Sequence, residues 1–251
     1  MNHRKAVFLK CYGVLTPDMM VGGLIDMGVP PVYLSSCLKE AGRTETFIEQ
    51  ANPKAQISAH YFRIPKAEGS FRSKEELLRL WQSLTEKKQN DWTEKGMKVF
   101  SALFAALPEG KEPGDYGIGG EDVLSLYLFL AALDYLDAEI FFTVPFEKGE
   151  GSTLPGKLSA EILQDAVSTQ GNPVPADGIA PFAAAMLEGL SEEFLPMDGR
   201  FLVDKTAYGS ASVEKPDGEN TAAEYLGYFH EKETSILGKR IRIFGEDTDL
   251  F

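Results

Sequence analysis

Lys5-Ala-Val-Phe-Leu-Lys-Cys-Tyr-Gly-Val-Leu-Thr-Pro-Asp-Met19 is the stretch on which the reading of the fold turns. Residues 5–11 have the Val, Phe and Leu content of a strand. Thr16-Pro17-Asp18 then opens a helix: Thr accepts at the N-cap, Pro fits the first turn, and Asp complements the dipole. That helix ends at Gly28, with Pro30 and Pro31 beyond it. A second helix over 32–41 stops at Gly42. The unit is strand, loop, helix, and its loop 12–16 lies at the strand's carboxyl end, where open α/β sheets place ligands.

Outward from this unit, 44–50 and 55–64 read as two strands around an Asn52-Pro53 turn, and 66–72 as a polar loop. Ser73-Lys-Glu-Glu76 is a capping box that starts a helix with Leu77, Leu80, Trp81 and Leu84 on one face. A helix over 89–107 is expected to bury Trp92, Met97, Phe100, Leu103 and Phe104. Residues 108–120 are the Gly/Pro-rich break of the chain. The helix that follows, 121–136, is apolar on most sides and reads as central and buried. Strand 139–144 after it supports a βαβ-like arrangement. Further on come a loop at 147–156, helices over 159–169 and 181–194, and strands over 201–206, 222–230 and 236–244. The expected class is α/β, with mixed α+β admitted: a sheet with packed helices and a strand-rich C-terminal third. The final acidic residues read as a frayed tail.

The 251 residues suffice for one large domain or two small ones, and 43% hydrophobic with 25% charged residues is ordinary globular composition. The net charge of −13 argues against nucleic acid and against an anionic membrane surface as partners, since both require clustered Lys and Arg. The longest apolar stretch, 123–133, is too short to span a bilayer. Cys11 and Cys37 lie in apolar surroundings and read as buried free thiols of a reducing compartment, so cytoplasm is the expected location.

His3, His60 and His230 are far apart and in no ligand spacing. No Gly-x-Ser-x-Gly, Walker or dinucleotide glycine pattern occurs. Two loop-to-helix junctions are left, 11–19 and 117–123. Asp18 lies in the first turn of one helix, and Glu121 with Asp122 in the first turn of the other. Such acids repel phosphate and suit a cation, or a cation bridging to a phosphate. The candidate ligand-binding residues are Gly13, Thr16, Asp18, Gly119 and Asp122, with Asp18 and Asp122 as candidate metal ligands. Helix capping alone accounts for the same acids.

At these junctions the chain resembles the nickel-insertion (LarC-like) proteins of the lactate racemase cofactor pathway. Residues 7–29 resemble that family's opening strand, its Asp-Cys-Phe-Ser-Gly-Ile-Ser-Gly-Asp-Met loop and its Gly-containing first helix. Cys11, Asp18 and Met19 match this motif. Residues 32–42, 119–138, 153–163, 176–194 and 207–211 resemble later landmarks in the same order, with Gly119 and Glu121 or Asp122 near the family's Gly and Asp. The departures are specific. Lys10 replaces an acidic residue, Gly13 to Pro17 replace a small polar loop, and Gly114 to Gly117 and Phe71-Arg72-Ser73 replace His-bearing segments. Pro181-Phe182 replaces Pro-Thr-Gly. The lost imidazoles are favoured nickel donors. Lys10 is expected to oppose a cation by about 4 kcal/mol if it stands about 4 Å from it at an effective dielectric near 20.

What the resemblance implies is insertion of nickel, with CTP, into a pyridinium dithiocarboxylate mononucleotide, by a chelatase of the lyase class. It implies an N-terminal-type region over 1–251, with a sub-boundary near 108–120 and no counterpart of the family's ferredoxin-like C-terminal domain. Three readings follow, and they leave enzyme status open. The first is a family scaffold with an altered or lost metal site that binds a nucleotide-like small ligand beside Asp18 and Asp122. The second is an active nickel chelatase using carboxylates and Cys11, with a partner chain supplying the nucleotide domain. The third is a non-catalytic module for a protein partner or a homo-oligomer.

Overall fold

The structure is a computed structural model that describes residues 3–52, 58–66, 71–88, 90–164, 173–211, 221–230, 233–236 and 239–242. Strand β1 (His3–Cys11) is followed by helices α1 (Pro17–Asp26) and α2 (Pro31–Glu40). Thr16 Oγ1 accepts from the Met19 amide, and Pro17 takes the first turn, as the sequence requires. Gly28 and Gly42 stop the two helices with φ of 117° and 74°, conformations that a side chain would strain.

Strands β2 (Ile48–Asn52) and β3 (Ala59–Arg63) form an antiparallel pair. Strand character begins at Ile48 rather than at residue 44. Pro53 of the expected turn lies outside the described residues. Helix α3 (Lys74–Thr85) starts in the reciprocal Ser73–Glu76 capping box. Helix α4 (Asn90–Ala106) buries Trp92, Phe100 and Leu103, but Met97, expected inside, is 38% exposed. A 3-10 turn, Pro113–Tyr116, leads into α5 (Gly120–Tyr135), which is buried from Val123 to Leu133.

Strand β4 (Ile140–Thr143) follows, then the two-residue strands β5 (Glu147–Lys148) and β6 (Pro173–Val174), which pair with each other. Between them lies α6 (Leu154–Ile162). It starts earlier than expected because Thr153 accepts from the Gly156 amide and Pro155 occupies the first turn. The rest of the helix expected to 169, from residue 165, lies outside the described residues. Helix α7 (Pro181–Leu190) ends before 194, where Ser191 takes an extended conformation. Strands β7 (Phe201–Ser210) and β8 (Thr221–His230) follow. The expected 236–244 strand is instead a hairpin, β9 (Glu233–Ile236) and β10 (Lys239–Arg242), and the acidic tail lies outside the described residues.

The main sheet has the order β2-β3-β7-β8-β1-β4. β1 with β4 and β3 with β7 are parallel; β8 runs against both its neighbours, and β2 against β3. The carboxyl ends of β1, β3, β4 and β7 therefore share one edge. Helix α1 lies on one face, over β3, β7 and β8, and α5 packs behind it. Alternation sets the faces: Val7, Leu9 and Cys11 enter the large core beneath the helices. Ala6 and Phe8 enter a smaller cluster on the other face with Ile140, Phe142, Leu195, Phe201 and Phe229. The main cluster draws residues from both sides of the 108–120 segment. Among the described residues, no helix is long and apolar enough to cross a membrane.

Candidate functional site

The first turns of α1 and α5 meet. Ser125 Oγ, one turn into α5, donates to Asp18 Oδ1 at 2.7 Å and also lies 3.0 Å from the Glu121 carbonyl. A backbone hydrogen bond from Ile64 and the nearby charge of Arg63 reach Asp18 from the end of β3. Burial nevertheless dominates and raises the Asp18 carboxyl to about 6. Asp122 Oδ2 accepts from the Gly119 amide at 2.9 Å and so closes the α5 N-terminus. Its carboxyl is raised further, to about 7, by burial first and then by the charges of Glu121 and Asp18. Glu121 is anchored by Lys66 Nζ at 3.2 Å. Asp18, Glu121 and Asp122 thus lie near one another at the carboxyl edge of the sheet, each held by its own partner: Ser125, Lys66 and the Gly119 amide.

The sequence-predicted residues divide by role. Asp18 and Asp122 are brought together. Thr16 is spent as the α1 cap, and Gly119 supplies the amide that Asp122 accepts. Gly13 stands apart in a loop pinned elsewhere: Leu15 N–H donates to the Gly178 carbonyl and Ala180 N–H to the Leu15 carbonyl, both at 2.9 Å. A side chain at Gly178 would strike the Gly13 carbonyl. Sequence reasoning missed Ser125, although a lone hydroxyl in a run of buried apolar residues, four positions after Glu121, is the mark that could have revealed it. Arg63 and Lys66 arrive from a strand end and a loop and carry no local mark.

Two expectations about the metal need correction. Lys10 does not oppose a cation beside Asp18. It alternates with Leu9 and Cys11, on the face of β1 that carries Phe8, and its amine lies 5.0 Å from the ring centre of Tyr12. Cys11 faces the correct side but is buried, with its thiol pushed up to about 12 by desolvation, so it is a poor thiolate donor. Among the described residues, no three His, Cys, Asp or Glu side chains are grouped to hold a metal ion.

A small hollow of about 30 Å³ beside Glu121 is lined by Arg43, Glu45, Ile64, Phe71 and Gly120 among others, and by neither Asp18 nor Asp122. That is room for about one water, not for a nucleotide. A groove of about 570 Å³ runs farther along α3 and α5, at Leu84 and Tyr127, with Lys39, Lys87 and Lys88 on its walls. One chain segment borders both: Lys39 to Gly42 line the groove, and Arg43 and Glu45, joined as an ion pair, line the hollow.

With the geometry in place, comparison with known proteins is informative. The family model described as nickel insertion protein matches residues 7–242. A Syntrophobacter fumaroxidans protein named for nickel insertion is 27% identical over 262 aligned positions, covering 98% of this chain and 65% of its own length. The pyridinium-3,5-bisthiocarboxylic acid mononucleotide nickel insertion protein of Geobacillus kaustophilus is 22% identical, covering 92% of this chain and 64% of its own. The chain thus spans just under two thirds of the length of the relatives it matches. No solved structure matches it.

Proposed function

The chain belongs to the nickel insertion protein family, and on that premise we propose that it meets a divalent cation through carboxylates in an altered metal site. The observation that carries this reading is the Asp18–Ser125 hydrogen bond, which joins two acidic helix starts at the edge where α/β sheets place their chemistry. Asp18 and Asp122 offer hard oxygen donors, which suit magnesium or manganese at least as well as nickel. Asp122 keeps its proton up to about pH 7 and Asp18 up to about 6, so below neutrality a cation must displace protons in order to bind.

The nucleotide-like ligand of the family reading belongs in the larger groove, which has the volume of a small-ligand site and three lysines against two glutamates, Glu40 and Glu86, on its walls. Parting of the Arg43–Glu45 segment would join that groove to the acids. Cys11 has no part in the centre while its thiol stays protonated. Isothermal titration with nickel, manganese and CTP, on the wild type and on D18N, tests the proposal. Weak cation binding that D18N abolishes is the expected result. Tight, stoichiometric nickel binding at neutral pH that survives D18N would overturn it.

A further inference from the structure

Glu224 is a carboxylic acid in the wrong place for one. It sits on β8, near the middle of the sheet, with Leu9 of β1 and Ala207 of β7 as its register partners. All three are completely buried, and neither carboxyl oxygen of Glu224 has a hydrogen-bond partner. The side chain points up into α1. A Cβ added at Gly23 would lie 2.6 Å from its carboxyl carbon and 2.8 Å from each oxygen. The helix therefore rests on this carboxyl, and it can do so only because Gly23 has no side chain.

An orphaned buried carboxyl destabilises the fold, and an alanine or valine there would leave no polar atom unpaired. A carboxyl can do one thing that they cannot, which is to gain or lose a proton. The charged groups around it favour the uncharged form. From α1 comes Asp26, whose carboxylate accepts from the Tyr208 amide and repels a second negative charge. From β7 comes Lys205, on the same face but directed away, its amine on the Met27 carbonyl at the far end of α1. The His60–Glu49 pair lies farther out, on β3 and β2. β1 contributes only apolar neighbours. Burial, with Asp26 adding to it, holds the carboxyl well above its ordinary range.

We propose that Glu224 is a positioning residue for α1, uncharged while the helix is seated on the sheet and admitting water beneath it on ionising, so that one proton sets the seating of the helix that carries Asp18. The seated state is the described one, with Asp18 held on Ser125. The lifted state would carry the α1 N-terminus, and Asp18 with it, away from α5. This inference does not rest on the carboxylates binding a metal, and its test uses none.

The experiment is hydrogen exchange at the α1 amides from about pH 7 to about pH 9, above the range in which Asp18 and Asp122 give up their own protons, corrected for the intrinsic chemical rate. A helix whose opening releases one proton opens close to tenfold more for each pH unit above the ordinary carboxyl range, near 4.3. The wild type is expected to show that excess in α1, and E224Q to lose it. Infrared difference spectra between the two are expected to show a protonated-carboxyl band still present at about pH 8. The proposal is overturned if α1 in the wild type exchanges without excess pH dependence, or if E224Q keeps it. Should E224Q fail to fold, the wild-type exchange profile alone decides.

Discussion

Ser125 Oγ stands 2.7 Å from Asp18 Oδ1, across 107 residues of sequence, and this one contact fastens the start of α1 to the first turns of α5. Removing it with Ser125→Ala leaves a buried carboxyl without its side-chain donor, with only the Ile64 backbone hydrogen bond remaining. Stability is expected to fall by about 1–2 kcal/mol, partly offset by alanine's better helix propensity. The Asp18 titration, followed by carboxyl-carbon NMR, should move upward from about 6, because the hydrogen bond holds it down.

The pH profile of stability should slope downward through the weakly acid range. Asp18 and Asp122 keep their protons up to about 6 and about 7 in the folded chain, whereas an unfolded chain releases them near 3.9. Between these limits the folded state binds more protons, so stability falls as pH rises; the share of these two acids is complete above about 7, and Glu224 continues the fall beyond it. Asp122→Asn removes the larger share and should flatten the curve, as thermal unfolding from about pH 4 to about pH 8 would measure. A wild-type profile that rises over this range would contradict the assignment.

Cation binding should release protons. Manganese or nickel must displace the protons held by the two carboxyls, so the apparent affinity should strengthen from about pH 5 to about pH 8. Calorimetry in buffers of different ionisation enthalpy counts the protons released. An affinity independent of pH would show that the cation binds elsewhere.

Helix α1 is predicted to be unusually intolerant of small additions. Gly23→Ala drives a methyl into the Glu224 carboxyl and should cost about 1–3 kcal/mol. The double variant G23A/E224A should recover most of that loss, since the obstacle is a side chain. Gly22→Ala meets the His60 carbonyl at 2.6 Å instead, and truncating a side chain should not rescue it. Urea unfolding of the three variants beside the wild type and E224A closes the comparison.

Local rules made the helix starts legible. Thr16 and Ser73 each cap as their sequence context indicates, whereas the Thr153 cap goes unread and its helix starts five residues before the expected 159. The buried character of α5 followed from its unbroken apolar run. The two acids of the site were also legible, because each lies in a helix's first turn. Their meeting was not, since it depends on how α1 and α5 pack. Lys10 was misjudged for a related reason: alternation along β1 sends it to the opposite face from Cys11, so a neighbour in sequence is not a neighbour in the site. Glu224 gave no sign of its burial, because nothing in Ala-Ala-Glu-Tyr says which face of a central strand a helix will cover.

The strand order has a bearing on how the chain is made. β7 and β8 lie between β3 and β1, so the middle of the sheet is supplied by residues from Phe201 onward. During synthesis β1 and its apolar side chains must wait for that hairpin, with only β4 available as an earlier neighbour. A nascent chain halted before residue 201 would hold β1 and β3 with no strand to join them. Such fragments should engage holdase chaperones or aggregate rather than fold in part.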